Sequence, residues 1–225
     1  MNYSEWLPWY EEICTHFGFD PHDDFLSSLL LDDLAKIKGS SFSLRRQFIG
    51  KDIQVVGNGP NLPATLENGR QGTYFVADSA LPVYYRILGP PDVIVTDLDG
   101  DAVLTRKCQE EGSRLVIHAH GDNGEKVRRV LPDINEEVLC TTQNAPFGML
   151  YNFGGFTDGD RAAYLADQVG ARSIILTGFD FLHPTGKPGG DPIIKAEKLK
   201  YAERLLENLA VSRGKHLTRS DFIEI

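Results

Sequence analysis

Residues 1 to 48 carry apolar side chains at helical spacing, Trp6, Tyr10, Ile13 and Phe17 and then Leu26, Leu30, Leu34 and Ile37. This pattern predicts two amphipathic helices with those residues as their apolar faces. From Asp52 onward the pattern changes to short β-branched runs, at Ile53–Val56, Thr73–Ala77, Val93–Thr96, Leu115–His118, Val138–Thr141 and Ser173–Thr177, each followed by a helix-length segment. Strands alternating with crossovers predict an α/β fold built on a doubly wound, mostly parallel sheet with right-handed connections. The expected organisation is an N-terminal helical segment over 1–48 and an α/β domain over 49–225 that carries the chemistry. No internal repeat interrupts it.

The segments after the strands are rich in glycine, asparagine and aspartate: Gly57-Asn58-Gly59-Pro60-Asn61, Asp78-Ser79, Asp97-Leu98-Asp99-Gly100, His120-Gly121-Asp122-Asn123, Thr142-Gln143-Asn144 and Gly178-Phe179-Asp180. In an open parallel sheet all of them converge at the carboxyl edge, where ligands bind.

Composition narrows what that edge can hold. The chain has 225 residues, long enough for one domain to bury about 70% of its unfolded surface without disulfides or a structural metal. With 23 Lys and Arg against 32 Asp and Glu the net charge is −9, which disfavours nucleic acid as a partner. Three cysteines, Cys14, Cys108 and Cys140, form no metal-binding spacing and read as buried residues in a reducing compartment. A leader-like N-terminus and a membrane-length apolar run are both absent, so a soluble, cytoplasmic protein without a membrane partner is expected. Self-association is left open.

Asp97 and Asp99 leave a buried strand as a carboxylate pair, and Asp78, Asp122 and Asp180 stand at other strand ends. Like charges gathered there demand a counter-charge, which a hard divalent cation supplies, and Mg²⁺ fits oxygen ligands best. Each aspartate alone also suits a helix cap or a turn. Gly57 to Asn61 would let backbone approach a phosphate, although Leu62 replaces the third glycine of a dinucleotide fingerprint and no Gly-Lys-Ser/Thr follows. His118 and His120 share a strand face and could chelate zinc as in a metallohydrolase, but their ligand set is incomplete. Val93 to Asp101 also resembles the haloacid-dehalogenase motif, with Asp101 in place of its Thr and two β-α units ahead of it, which argues against a nucleophilic aspartate. Thr157 or Asp158 is a candidate N-cap, with Asp158 and Arg161 as alternative ligand contacts. Leu182 to Pro192, with Lys187 and the downstream Lys195 and Lys198, reads as a surface loop or as a lid bringing cations to phosphates.

Taken together, Gly57-Asn58-Gly59-Pro60-x-Leu62, Asp97-Leu98-Asp99-Gly100, His118-Ala119-His120-Gly121-Asp122-Asn123, Gly155-Phe156-Thr157-Asp158-Gly159-Asp160-Arg161 and Gly178-Phe179-Asp180-Phe181 resemble the archaeal 6-hydroxymethyl-7,8-dihydropterin pyrophosphokinases over about residues 50 to 205. The resemblance implies a fold similar to the thiamin pyrophosphokinase catalytic domain. Only Thr157-Asp158 remains of that more distant family's K-D-x-T-D element, and Asn61 stands where Ser is usual in the pterin family, which argues against thiamin as substrate. The implied reaction is diphosphate transfer from ATP to a reduced hydroxymethylpterin. Asp97 and Asp99 would hold Mg²⁺, with Asp158 a further ligand. Arg161 would act beside them, and the Gly57 to Asn61 loop, Asp78, Ser79, His120, Asp122, Asn123, Thr157, Asp180 and Lys195 would contact substrates. The competing classes are a nucleotide-sugar glycosyltransferase using Asp97-Leu98-Asp99, a zinc hydrolase and a non-enzymatic nucleotide sensor.

Overall fold

The computed structural model describes residues 1–38, 43–67, 72–134, 138–183, 185, 191–217 and 223–225. The strands are β1 (Asp52–Val56), β2 (Thr73–Ala77), β3 (Val93–Thr96), β4 (Arg114–Ala119), β5 (Leu139–Thr142), β6 (Leu150–Tyr151), β7 (Ser173–Thr177) and β8 (Ile223–Glu224). They form one sheet in the order β6-β5-β4-β3-β2-β1-β7-β8, parallel except for the antiparallel β7–β8 pair. The six expected strands are present, and the added edge pieces β6 and β8 have only two residues each. So short a run leaves no hydropathy period to read.

The helices are α1 (Tyr3–Phe17), α2 (Pro21–Lys38), α3 (Leu44–Phe48), α4 (Leu62–Glu67), α5 (Leu81–Leu88), α6 (Ala102–Glu110), α7 (Gly124–Val130), α8 (Asp158–Gln168) and α9 (Pro192–Ser212). Strand residues alternate between two apolar layers. Ile53, Val55, Phe75, Val95 and Leu176 meet α1, α3, α8 and α9, while Val56, Val76, Ile94 and Ile117 meet the layer containing α2, α4, α5 and α7. The chain builds outward from β1 to β6 and then crosses back to place β7 on the other side of β1. The topological switch point therefore lies between β1 and β7, registered by Val55 opposite Leu176 and Val56 opposite Thr177.

The N-terminal segment is helical as expected. In α1 the apolar face is the expected one, with Trp6, Tyr10 and Ile13 buried, and an Asn2–Glu5 capping box starts the helix. In α2 the expected face holds only in part, since Leu30 and Leu34 are partly buried, with Leu34 against the core, but Leu26 and Ile37 are not. Leu26 is half exposed and Ile37 is 78% exposed, while Asp24, Ser27, Ser28, Leu31, Asp32 and Ala35 turn inward. Leu31 and Ala35 join the apolar layer, while the polar residues of that face dock on loop backbone and side chains. The amide N–H groups of Gly121 and Met149 donate to Asp24 and Asp32, each at 2.6 Å, and the Ser28 hydroxyl lies 2.6 Å from that of Thr142. No helix among the described residues is long and apolar enough to cross a membrane.

Candidate active site

A cleft of about 630 Å³ opens over the carboxyl edge of the sheet. At the switch point, the β1 and β7 loops touch backbone to backbone. The Gly57 amide donates to the Thr177 carbonyl at 2.9 Å and the Gly59 amide to the Gly178 carbonyl at 2.6 Å. Gly178 has φ +68°, and a Cβ there would lie 2.5 Å from the Gly57 carbonyl oxygen, so only glycine permits this approach. Gly57, Asn58 and Gly59 line the cleft, with Phe179 and Asp180 opposite. Pro60 and Asn61 are exposed, and neither lines the cleft.

The acidic floor is built where β3 ends. The Thr96 hydroxyl accepts from the Leu98 amide at 2.8 Å and donates to Asp78 at 2.7 Å. The Asp99 amide turns back to Asp97 at 3.2 Å. This tight turn forces buried Leu98 to φ +64°, a left-handed conformation costing an L-residue about 1–2 kcal/mol. Local strain of this kind clusters at functional sites. Asp78 also accepts the Gly100 amide at 3.0 Å, and a Cβ on residue 100 would fall 2.0 Å from an Asp78 carboxylate oxygen. The glycine after Asp-Leu-Asp therefore makes room for the aspartate from the neighbouring strand.

Asp78, Asp97 and Asp158 each bring a carboxylate oxygen to within 4.8 Å of the others, from β2's end, β3's end and the first turn of α8. Thr157 caps α8, and its hydroxyl and amide donate to Asp160, which also receives the Phe156 amide. Capping thus fixes Asp158 at the floor with Arg161 one turn on, its Nη1 3.3 Å from Asp158. Asp99, expected as the second metal ligand, lies outside this trio, exposed on the cleft wall.

The electrostatics of the trio are those of crowded carboxylates that Arg161 and His120 offset only in part. Burial raises Asp97, but hydrogen bonds from His120 and Asp99, with the charges of His120 and Arg161, outweigh it and hold the group well below the usual range. Burial and then the nearby Asp97 charge push Asp158 well above it, against the pull of Arg161. A hard divalent cation between them would offset this repulsion and take an oxygen from each carboxylate, so the donor set fits Mg²⁺.

His120 spans two carboxylates, with Nε2 3.2 Å from Asp97 and Nδ1 3.1 Å from Asp122. His118 does not join it as a chelating pair. Its Nδ1 lies 3.0 Å from the Thr141 hydroxyl, and burial followed by the charges of Arg161 and His120 holds the ring neutral with a lowered pKa. Among the described residues the metal-ligand cluster contains carboxylates alone, so the histidines do not support a zinc site. Asn123 is also placed differently from expectation. It is fully buried, its amide nitrogen donating to the carbonyls of Asp97 and His118 at 3.0 and 2.6 Å and its oxygen accepting from the His120 amide, so it clamps the β3 and β4 loops together.

Ser79, Thr157, Asp180 and Lys195 line the cleft as expected. Sequence reasoning missed the wall supplied by the N-terminal segment, Phe19 with Asp20, Asp23 and Asp24, and also missed Lys198 as a partner of that wall. Asp24 accepts from Tyr10, Gln143 and Gly121. A polar run inside a predicted amphipathic helix, Asp23-Asp24 with Ser27-Ser28, was the available signal. Lys187 and residues 184 and 186–190 of the expected lid lie outside the described residues.

A doubly wound sheet with an acid-floored cleft at its switch point, lysines on one wall and glycine-rich loops on another, defines an α/β site suited to compounds of phosphorus. Comparison with known proteins makes this specific. The model of the MptE-like family, described as 6-hydroxymethylpterin diphosphokinase, matches residues 28–186. A protein of Pyrococcus furiosus is 38% identical over 226 residues, covering 92% of this chain and 94% of its own. One from Methanothermobacter thermautotrophicus is 38% identical over 221 residues, with coverage of 92% and 94%. A third, from Methanocaldococcus jannaschii, is 34% identical over 232 residues, covering 93% and 96%. All three are named 6-hydroxymethyl-7,8-dihydropterin pyrophosphokinase. The chain belongs to the MptE-like 6-hydroxymethylpterin diphosphokinase family, and with it to the kinase-type transferases.

Proposed function

We propose that the chain transfers a diphosphate group from ATP to the hydroxymethyl group of 6-hydroxymethyl-7,8-dihydropterin, releasing AMP. The observation that carries this reading is the trio Asp78, Asp97 and Asp158 at the switch-point cleft of a chain from this family. The hydroxymethyl oxygen forms a bond to the β-phosphorus and loses its proton. The bond from that phosphorus to the α,β-bridging oxygen breaks, and AMP leaves with the bridging oxygen. Mg²⁺ held by the three carboxylates would neutralise phosphate charge as a Lewis acid.

The chain's own residues position the reactants. Gly57 to Gly59 let backbone approach the phosphates beside β7, and Lys195 and Arg161 bring positive charge to the acidic floor. His120 orients Asp97 through its 3.2 Å contact. Asp99 remains a second-rank candidate for the metal, since it leaves the same turn as Asp97. The product is an activated pterin of the kind used in tetrahydromethanopterin or folate-type synthesis, and the three free, buried cysteines suit a reducing cytoplasm.

Incubation with Mg-ATP and the reduced hydroxymethylpterin, followed by separation of the nucleotides and pterins, should yield AMP and pterin diphosphate in equal amounts. ADP as the nucleotide product would overturn the proposal. Pterin-independent turnover of a sugar nucleotide would replace it with the glycosyltransferase reading.

A further inference from the structure

The second half of α9 is a packing surface, with Tyr201, Ala202, Leu205, Leu206, Leu209 and Ala210 buried. Its first turns overhang the cleft and present Ile194, Lys195, Lys198 and Leu199 to it. Lys198 is half-buried, and its ammonium lies 5.5 Å from the ring centre of Phe19 and 5.6 Å from that of Phe156. Among the described residues, no carboxylate lies within ion-pair distance of it. The contrast with its neighbours is sharp in a chain of net charge −9. Lys200 on the same helix is 2.5 Å from Glu197, and Lys36 is 2.7 Å from Asp32. Two aromatic faces attract a cation through their quadrupoles and leave its N–H donors free for another acceptor. Burial, followed by the charges of Arg161 and Lys195, lowers the Lys198 ammonium against the smaller pull of Asp97 and Asp122, so it shares one side of the cleft with other cations.

We infer that Lys198, seated between Phe19 and Phe156, binds the β- and γ-phosphate oxygens of the nucleotide on the wall opposite the carboxylate trio, an assignment that rests on the diphosphate transfer proposed above. With a cation on the trio, positive charge would then face the transferred group from both the carboxylates' side and this ammonium. Phe19 comes from the N-terminal segment and Phe156 from the loop before α8, so three separate parts of the chain set one anion subsite. The position of Lys198 also assigns a role to the first turns of α9, which lie beyond the stretch matched by the family model.

Binding of α,β-methylene ATP with Mg²⁺, and of AMP, to the wild-type protein and to Lys198→Met and Lys198→Arg tests this without relying on the pterin. Methionine keeps an apolar stem against the two rings and removes the charge. The Met variant should bind the triphosphate analogue about tenfold more weakly or worse, and the Arg variant within about threefold of wild type, as expected for loss or retention of a charge-assisted contact. Both should bind AMP as the wild type does, which a merely structural role would not produce. Lys198→Gln gives the same reading should the Met variant fail to fold. Unchanged analogue binding by the uncharged variants, equal weakening for AMP, or failure of the wild type to bind the analogue would overturn the inference. Analogue binding that depends on Lys198 in a protein that makes no pterin diphosphate would instead overturn the proposed reaction and leave the anion subsite standing.

Discussion

The strand ends and helix α2 both place aspartates near one cleft, yet these aspartates do opposite work. Around the ends of β2 and β3 and the first turn of α8, Asp78, Asp97 and Asp158 crowd together, and burial with the neighbouring Asp97 charge pushes the Asp158 pKa up. On α2, Asp24 receives three donors, the Tyr10 hydroxyl, the Gln143 amide nitrogen and the Gly121 amide, each at 2.6 Å. The first group keeps three carboxylates in mutual repulsion that its partners only partly offset, and the second is a single carboxylate completed by its donors. Carboxylates that the fold leaves in conflict mark chemistry, and carboxylates that the fold completes mark architecture.

The largest effect expected from this contrast falls on turnover. Asp97→Asn and Asp158→Asn should each lower kcat at least about a hundredfold, because each removes charge from the site that neutralises the transferred group, while the fold survives. Circular dichroism and steady-state kinetics at saturating Mg²⁺ would check it, and near-normal turnover would place the metal elsewhere. Asp24→Ala should do the reverse. It takes the acceptor from the Gln143 side chain and the Gly121 amide, leaves the Tyr10 hydroxyl only its 3.2 Å contact with Asn144, and should cost about 3 kcal/mol of stability, given about 1–3 kcal/mol for each buried group left unsatisfied. Denaturant melts measure this directly. A loss below about 1 kcal/mol would show that α2 is held by something other than its polar face.

A smaller effect concerns pH and metal together. The raised pKa of Asp158 means that the folded chain binds this proton more tightly than the unfolded chain does. Without metal, its contribution to stability is therefore largest at low pH and is lost as pH rises through the folded value. Mg²⁺ should raise the Tm by several degrees at neutral pH, with the gain shrinking as pH falls toward the usual carboxylate range. A gain independent of pH would detach the metal from Asp158. The smallest effect is on the solvent side of α2, where Leu26→Ser should change stability by no more than about 0.5 kcal/mol, since the residue is half exposed. A larger loss would restore the apolar face that hydropathy alone suggests.

The same contrast explains what could be read from the sequence. The sheet was legible because its strands bury β-branched residues against apolar layers, which hydropathy reports directly, and the parallel order followed from alternation with helices. The strand-end loops were legible because glycine and aspartate after a strand have few other uses. The inner face of α2 was hidden because its partners are loop amides, hydroxyls and side-chain donors, and a polar helix face buried on polar groups looks like a solvent face in sequence. Asp99 stood out by spacing, yet the turn at Leu98 separates it from the trio, whose other members come from β2 and α8. Lys198 was legible as one of the cations following a loop or lid, but its seat was not, because the two rings that hold it lie 42 and 179 residues away in the chain.

The central claim is that Asp78, Asp97 and Asp158 together hold the divalent cation on which diphosphate transfer depends. Electron paramagnetic resonance of Mn²⁺, used in place of Mg²⁺ with α,β-methylene ATP present, tests it most directly. Wild-type protein should take up Mn²⁺ tightly, and Asp97→Asn and Asp158→Asn should each lose most of that binding while keeping the fold. Tight Mn²⁺ binding that survives in both variants would contradict the account.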